Sequence, residues 1–340
     1  MTTAIEKQAE NIQHKKFEGL IRAQIPPNQS ELTLIAWANR YLQQEVAGVQ
    51  SQNTLQAKVK DLEAFIKFFQ NTNGHLRIED WMKRDTEGFL ESLEHEGRKP
   101  SSINRAFATI RHFARWVADH NPSPFRYGSP VKGIKERTLP NSPPKQLSQI
   151  TINRLKKAAD KRVIIDEVRK NARPLRNRAI FHLLLGTGLR VEELCNLNLE
   201  QFQGKWLRNV KGKGKQYRDI PIPSEARNFL MEYIEKERSK DAIASKDPCP
   251  ALFLTSSGKR MSRFEINKIL QKLARTAEAE CGEKIHLHPH ALRHTYAARL
   301  LKKTGNLAFV KDKLGHTSFA HTAKYVQMTE EEEEMAVDGM

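Results

Sequence analysis

Residues 186–194 read GTGLRVEEL, and this stretch decides how the second half of the chain folds. Gly186 and Gly188 interrupt one helical pattern, and a new helix starts with Arg190 in its first turn. The stretch therefore predicts a corner between two helices that carries an arginine. Taken alone, it fits an ordinary helix corner with a surface arginine as well as it fits a functional site.

The chain on either side of this corner is mostly helical and contains one hairpin. Helical patterns cover residues 150–159 and 175–185 and resume after Ser224. Between them, residues 206–210 and 217–222 predict two strands joined by a tight turn, Gly212-Lys213-Gly214-Lys215. We expect this half to be mainly α with a small antiparallel β-sheet, an α+β domain.

The first half shows helical periods only. One apolar stripe consists of Leu55, Val59, Leu62, Ile66 and Phe69, and its members recur at steps of three or four residues. A second stripe runs from Ile103 to Val117, and further helices are expected near residues 32–41 and 81–93. An all-α domain follows from these patterns.

Composition divides the chain further. We expect an N-terminal arm at residues 1–30, the helical domain at 31–120, a proline-rich basic linker at 121–145, the second domain at 146–328 and an acidic tail at 329–340. An extended basic linker suits a protein that wraps a duplex, although an ordinary solvated linker fits equally well. The candidate DNA-binding residues are Arg126, Lys132, Lys135 and Arg137 in the linker and Lys215 in the hairpin turn.

The charge balance points to a polyanionic partner. Lysine and arginine number 57 against 40 acidic residues, which gives a formal charge of +17. The three cysteines form no C-x-x-C pair, which favours a reducing cytoplasm over a disulfide framework. No apolar run approaches the ~18 residues of a membrane span, and the polar N-terminus does not resemble a signal peptide. We therefore expect a cytoplasmic, nucleoid-associated protein.

Two short segments carry groups suited to phosphate chemistry. His290 and Arg293 are three residues apart, so on a helix they share one face and can offer a proton-transfer group and a planar cation to one phosphate. A metal site is the rival interpretation, with ligands from His286, His288, His290 and His294, but no acidic residue has a helical spacing to complete it.

The lysine turn lacks the spacing of a phosphate-binding P-loop, because Lys215 is followed by Gln216.

The order of the motifs resembles one known family. T-G-L-R-x-x-E is followed by G-K-G in a hairpin, by H-x-L-R-H, by L-G-H and by a tyrosine nine residues after His316. This order resembles the tyrosine recombinases, the family of phage integrases and Xer-type recombinases. The resemblance covers residues 145–330, and the helical first half resembles the core-binding domain of that family more weakly.

The resemblance implies a role for each matching residue. Arg190 and Arg293 correspond to the arginines that clamp the phosphate, and Glu193 to the acid that orients the pocket. Lys213 corresponds to the lysine that protonates the leaving 5′ oxygen, with Lys215 as a competitor for that role. His290 corresponds to the general acid/base, His316 to the last phosphate ligand and Tyr325 to the nucleophile.

The resemblance also implies an activity and its partners. It implies a site-specific recombinase that cuts and rejoins double-stranded DNA through a 3′-phosphotyrosyl intermediate, for integration, excision, inversion or resolution. The implied partners are paired inverted-repeat sites and three further copies of the chain in a homo-tetramer, and no metal, ATP or other cofactor is implied. Two other classes stay open on sequence grounds, namely a type IB topoisomerase and a non-catalytic DNA-binding regulator on the same scaffold.

Overall fold

The computed structural model describes residues 33–46, 52–121, 123–139, 146–169, 172–212, 216–244 and 248–315. The chain divides into two compact units, residues 1–141 and 142–340. The predicted arm at residues 1–30 and the predicted acidic tail lie outside the described residues. No described helix is long and apolar enough to cross a membrane.

The first unit is built from helices, as its apolar stripes predict. Its helices are α1 (Leu34–Tyr41), α2 (Gln52–Asn73), α3 (Lys83–His95) and α4 (Pro100–His120). Thr33 caps α1 by accepting a hydrogen bond from the Ala36 N–H, and Pro100 occupies the first turn of α4, where its missing N–H costs nothing.

Aromatic side chains fill the centre of this unit. The ring centroid of Trp81 lies 4.9 Å from that of Phe65 and 5.9 Å from that of Phe113, and all three side chains are fully buried. The indole N–H of Trp81 donates to Thr86 Oγ1 at 2.9 Å, so its polar edge is satisfied inside the core. This core gives the helical half a rigid body of its own.

Part of the predicted linker packs onto the first unit. The ring of Phe125 meets Trp81 edge-on at 5.4 Å, and Val131 and Ile134 pack against the same core. Asn104 fixes the backbone of Arg137, donating to its carbonyl at 2.8 Å and accepting from its N–H at 2.7 Å. The segment has a buried side because these apolar residues alternate with its prolines and cations.

The second unit combines helices with one small sheet. Its helices are α5 (Gln149–Glu167), α6 (Pro174–Thr187), α7 (Val191–Asn196), α8 (Ser224–Tyr233), α9 (Ser239–Ile243), α10 (Arg263–Cys281), α11 (Pro289–Thr304) and α12 (Leu307–Leu314). The strands are β1 (Phe202–Gln203), β2 (Trp206–Lys211) and β3 (Tyr217–Pro221), in the antiparallel order β1-β2-β3. The predicted hairpin is thus present, together with a two-residue strand that is too short to show an alternating pattern.

Helix α6 lies at the centre of this unit. Residues 179–185 are all buried, and α6 contacts α5, α8 and α11. A helix segment that is buried on every side is enclosed by its neighbours. Its C-terminus, where the corner at residues 186–190 begins, is therefore held from several directions.

Candidate active site

The helix corner places Arg190 at the start of α7. Helix α6 ends at Gly188, which adopts a left-handed conformation with φ of 64°. Arg190 is extended and caps α7, and Glu193 at the third helical position accepts a hydrogen bond from the Arg190 N–H at 2.8 Å. The R-x-x-E spacing therefore has a local cause, because the glutamate caps the helix that the arginine opens.

The Arg190 side chain is anchored at both ends of its guanidinium. Nη1 donates to Glu193 Oε1 at 2.9 Å, and Nη2 donates to the carbonyl of Gly315 at 3.0 Å. The side chain keeps 27% of its surface exposed. Arg190 is thus oriented by the protein and still open to an anion from solvent.

Glu193 is buried between two guanidiniums. Arg218 donates from Nη1 to Oε1 at 2.9 Å and from Nη2 to Oε2 at 2.8 Å, in addition to the contacts from Arg190. Burial alone raises the pKa of Glu193, but the hydrogen bonds and charge of Arg218, and then those of Arg190, outweigh it and lower the pKa below its usual value. One carboxylate thus holds two arginines, and the cluster keeps a net positive charge.

Arg293 is almost fully buried and spans two chain segments. Its Nη1 donates to the carbonyl of Gly188 and its Nη2 to the carbonyl of Leu314, both at 2.7 Å. These carbonyls end helices α6 and α12, where the helix dipole is negative. Because Arg190 binds the next carbonyl, that of Gly315, the structure brings the two predicted phosphate arginines into one cluster.

The segments that precede the remaining predicted residues reach the same cluster. Gly315 ends α12 in a left-handed conformation with φ of 63°, directly before His316. The Gly212 N–H donates to the Gln216 carbonyl at 2.7 Å, and these two residues flank Lys213 in the sequence. Lys213, Lys215, His316 and Tyr325 themselves lie outside the described residues.

His290 occupies the first turn of α11, one turn before Arg293. Its side chain is exposed, and its ring centroid lies 6.4 Å from that of His294 and 6.5 Å from that of His288. His288 Nδ1 accepts the Ala291 N–H at 3.2 Å and so caps the helix. Burial, followed by the charges of the neighbouring histidines, lowers the pKa of His288.

The rival interpretation of this histidine segment was a metal site. Within the part of the chain that the structure describes, no group of three or more histidine, cysteine or acidic side chains lies where it could hold a metal ion. His288 would also have to give up its role as a helix cap to serve as a ligand through Nδ1. At this segment the described side chains therefore form no ready-made metal site, and the roles of His290 and Arg293 stay a prediction.

Arg218 is a site residue that sequence reasoning missed. No motif of the sequence analysis contains it, yet its side chain is largely buried. The signal lies in β3, where Arg218 and Ile220 share the inward face while Tyr217 and Asp219 point outward. A cation on the inward face of a strand indicates a buried acidic partner.

Tyr296 is a second residue that the motifs did not indicate. Its ring packs so closely on Gly188 that a methyl group at that position would lie 2.3 Å from the Tyr296 Cδ1 atom. Gly188 is therefore required both for its positive φ and for the approach of this ring.

The linker cations at residues 126–137 belong to the first unit. Arg126 forms ion pairs with Glu79 and Asp80 at 3.4 and 3.3 Å, and Arg137 pairs with Glu94. Lys132 and Lys135 are exposed. Their contact with DNA remains a prediction.

Two family descriptions match the chain. Residues 145–332 match the phage integrase family, and residues 39–121 match the phage integrase N-terminal SAM-like domain. The first match covers more than half of the 340 residues and contains every predicted catalytic residue.

Curated relatives agree with these matches over most of their length. A tyrosine recombinase XerD from Oceanobacillus iheyensis is 29% identical over 286 residues, which cover 82% of this chain and 89% of the relative. A tyrosine recombinase XerC from Bacillus licheniformis is 30% identical over 287 residues, which cover 83% of this chain and 88% of the relative.

Solved structures share the fold. XerH bound to a palindromic difH substrate superposes with a TM-score of 0.65 at 18% identity, covering 89% of this chain and 95% of that one. A lambda integrase dimer bound to a COC′ core site gives a TM-score of 0.66 at 16% identity, covering 87% and 95%. The mainly helical fold with its small antiparallel sheet, expected from the sequence, is confirmed.

The matches cover both halves of the chain and agree with the motif order and with the clustered arginines. The chain therefore belongs to the phage integrase family and is a site-specific tyrosine recombinase, an enzyme that breaks and rejoins DNA.

Proposed function

We propose that Tyr325 attacks a DNA phosphate held by Arg190 and Arg293 and forms a 3′-phosphotyrosyl intermediate. The leaving 5′ oxygen takes a proton from Lys213, with Lys215 as the alternative donor. Attack by the 5′ hydroxyl of another strand reverses the step and reseals the DNA. The observation that carries this proposal is the cluster in which Glu193 and the ends of α6 and α12 hold both arginines.

The arginines supply what the reaction lacks in water. A phosphodiester repels nucleophiles, and two guanidiniums neutralise it best as charge grows on its oxygens in the transition state. A tyrosine hydroxyl has a pKa of about 10 in water, so Tyr325 needs this cationic surrounding to attack as a phenolate. His290 and His316 serve as general acid/base and as last phosphate ligand. The phosphotyrosine ester retains the energy of the broken bond, so the proposed reaction uses neither ATP nor a metal.

The proposed substrate is a pair of inverted-repeat sites in double-stranded DNA, synapsed by four copies of the chain. Support comes from the palindromic substrate of XerH and from the dimer of lambda integrase on its core site. A palindrome matches the two-fold symmetry of a protein pair. The excess of cations over acids in this chain supports binding to many phosphates at once.

A cavity in the second unit supports the proposed tetramer. It has a volume of about 410 Å³ and lies between α6, α8 and α11. Its wall holds the cations Arg299 and Lys303, the ion pair of Lys156 with Glu225, and the apolar side chains of Leu185 and Leu300. Residues 330–334 are five consecutive glutamates, followed by Met335-Ala336-Val337. We assign this cavity to the acidic tail of a neighbouring copy, because both charge and apolar character are complementary.

Deleting residues 330–340 tests the tail. Binding to a single site should be unchanged, while synapsis of two sites and the pairing of cuts should be disturbed. The exchange Lys303→Glu should give the same defect in the full-length chain, because it repels the glutamates. Normal recombination of two sites by both variants would leave the tail with no part in assembly.

The nucleophile is tested by a covalent adduct. A target duplex is first selected by binding from a random pool and then nicked, so that the cut strand diffuses away and the adduct accumulates. Mass spectrometry of the nuclease-treated and trypsin-treated adduct should place the nucleotide on Tyr325, and Tyr325→Phe should form no adduct while binding the duplex normally. An adduct that survives this substitution would exclude Tyr325 as the nucleophile.

EDTA should leave the adduct yield unchanged, and loss of activity in EDTA would favour the histidine metal site.

A further inference from the structure

We infer that Arg218 is a positioning residue that holds together Glu193, the turn before Lys213 and the segment before His316. The inference rests on the roles proposed above for the residues that it positions. Arg218 is absent from the motif set by which this chain resembles its family, and it acts on the reaction through its neighbours.

The contacts of Arg218 with Glu193 are the first observation. Both Nη groups of Arg218 bind the carboxylate in a fork, at 2.9 and 2.8 Å, and only 16% of the Arg218 side chain is exposed. Its Nε–H is buried and has no acceptor among the described residues, so the two Nη groups fix the side chain. A two-point contact of this kind sets the orientation of both planes. Because Glu193 also binds Arg190, the position of Arg218 determines that of the predicted phosphate ligand.

The backbone on both sides of Arg218 is the second observation. A methyl group at Gly212 would lie 3.2 Å from Arg218 Nη1, and one at Gly315 would lie 3.1 Å from the same atom. The guanidinium therefore sits against the residue before Lys213 and against the residue before His316. Glycine at both places allows this close approach.

The surroundings of Tyr296 connect Arg218 to the second arginine. Burial raises the pKa of Tyr296, and the charges of Arg218 and then of Arg293 partly offset this rise. The geometry agrees, because Arg293 donates to the carbonyl of Leu314 and Arg218 lies against Gly315, the next residue. Arg218 is thus placed among the two predicted phosphate ligands, Arg190 and Arg293. It also lies beside the residues that directly precede Lys213, the predicted proton donor, and His316, a further predicted ligand.

This placement gives Arg218 a function that burial in a core would not. Groups that act on one phosphate must be held within a fraction of an ångström, since a displacement of about 1 Å can reduce a rate 100-fold. Those groups come from chain segments far apart in sequence, and Arg218 touches three of them.

The variant Arg218→Met tests the inference, with Arg208→Met as the matched control. Arg208 belongs to the same hairpin, but it is 40% exposed and pairs with the exposed Asp219. At saturating target duplex, Arg218→Met should form the adduct about 10- to 100-fold more slowly than the wild type, with affinity for the duplex within about threefold. Arg208→Met should keep the wild-type rate. A wild-type rate in Arg218→Met would overturn the inference.

A pH profile separates positioning from a loss of fold. Without Arg218, the pKa of Glu193 rises, because its strongest charged partner is gone. Adduct formation by Arg218→Met should therefore fall as the pH is lowered from about 7 to about 5, since protonated Glu193 no longer attracts Arg190. The double variant Arg218→Met, Glu193→Gln should lack this acid limb and be no slower than the slower single variant. The inference would be overturned, even if Arg218→Met is slow, by two results together. These are rate losses of the two substitutions that add up in the double variant and a rate of Arg218→Met that does not fall at low pH.

A substrate with sulfur at the bridging 5′ position tests the contact with the lysine turn. A thiol has a pKa of about 8.5, so the sulfur can leave as a thiolate and needs no proton from the enzyme. If the turn has lost its position, the ratio of the wild-type rate to the Arg218→Met rate should be at least tenfold smaller on this substrate. An equal deficit on both substrates would remove the turn from the inference. Adduct formation by the wild type is the control for the proposed function. If the wild type forms no adduct, the proposed role of Tyr325 is wrong, whereas a slow adduct in Arg218→Met alone concerns Arg218.

Discussion

The basic segment at residues 123–139 and the arginine cluster at Glu193 hold their charges in different ways. Arg126 pairs with acidic side chains at the surface, and 53% of its own side chain is exposed. Glu193, in contrast, is 3% exposed and accepts hydrogen bonds from two guanidiniums. Exposed pairs are weak and are screened by salt, whereas buried pairs fix geometry. Cations near a polyanion can therefore serve affinity in one region and the geometry of a reaction in another.

The arginines of the cluster should give the largest effect. Replacing Arg293 or Arg190 with alanine should slow adduct formation by about 100- to 1000-fold and weaken duplex binding far less, because each arginine contributes most in the transition state. Lysine should not rescue either position, since an ammonium cannot make the planar two-point contact. Single-turnover measurements with Arg208→Ala as the control check this, and a wild-type rate in Arg293→Lys would contradict it.

Glu193 should show that the buried pair also stabilises the fold. Glu193→Gln leaves two guanidiniums without their carboxylate, so unfolding should become easier by about 3 kcal/mol at neutral pH. The folded pKa is lowered, so this stabilisation is present above the unfolded pKa of about 4.3 and is lost as the pH falls through the lower folded value. Thermal unfolding of both proteins from pH 7 to pH 3 should show the two curves converge at acid pH. A constant difference would mean that the charge of Glu193 is unimportant.

The exposed lysines of the other region should give the smallest effect. Lys132→Ala and Lys135→Ala should each reduce the slope of log affinity against log salt by about one and leave the rate at saturation unchanged. Lys161→Ala is a control in the second unit, where Lys161 pairs with Glu280. Salt titrations of duplex binding measure the slope. An unchanged slope in both variants would mean that these lysines do not contact DNA. A changed rate at saturation would mean that the linker lysines affect the reaction as well as binding.

The same contrast explains what the sequence could and could not predict. Arg190 and Glu193 are linked by a local cap, and Arg293 occurs in a motif with His290, but it was the order of all the motifs and the family resemblance that selected them. The alternation of β3 marks Arg218 as facing inward, but the identity of its partner depends on where β3 lies against α7, which no local pattern encodes. The packing of Phe125 could not be predicted for a similar reason. The prolines and charges of the linker are conspicuous in sequence, while the burial of Phe125 depends on Trp81, more than forty residues earlier.

Arg293 closes the site by joining the carbonyls of Gly188 and Leu314, which lie more than a hundred residues apart in the chain. During synthesis, the first of these carbonyls emerges long before the arginine, and the second emerges last. A nascent or truncated chain that stops before residue 314 thus lacks one of the two carbonyls that hold Arg293, whatever its affinity for DNA. If Arg293 holds the phosphate as proposed, the ability to break DNA is withheld until translation of the catalytic domain is nearly finished.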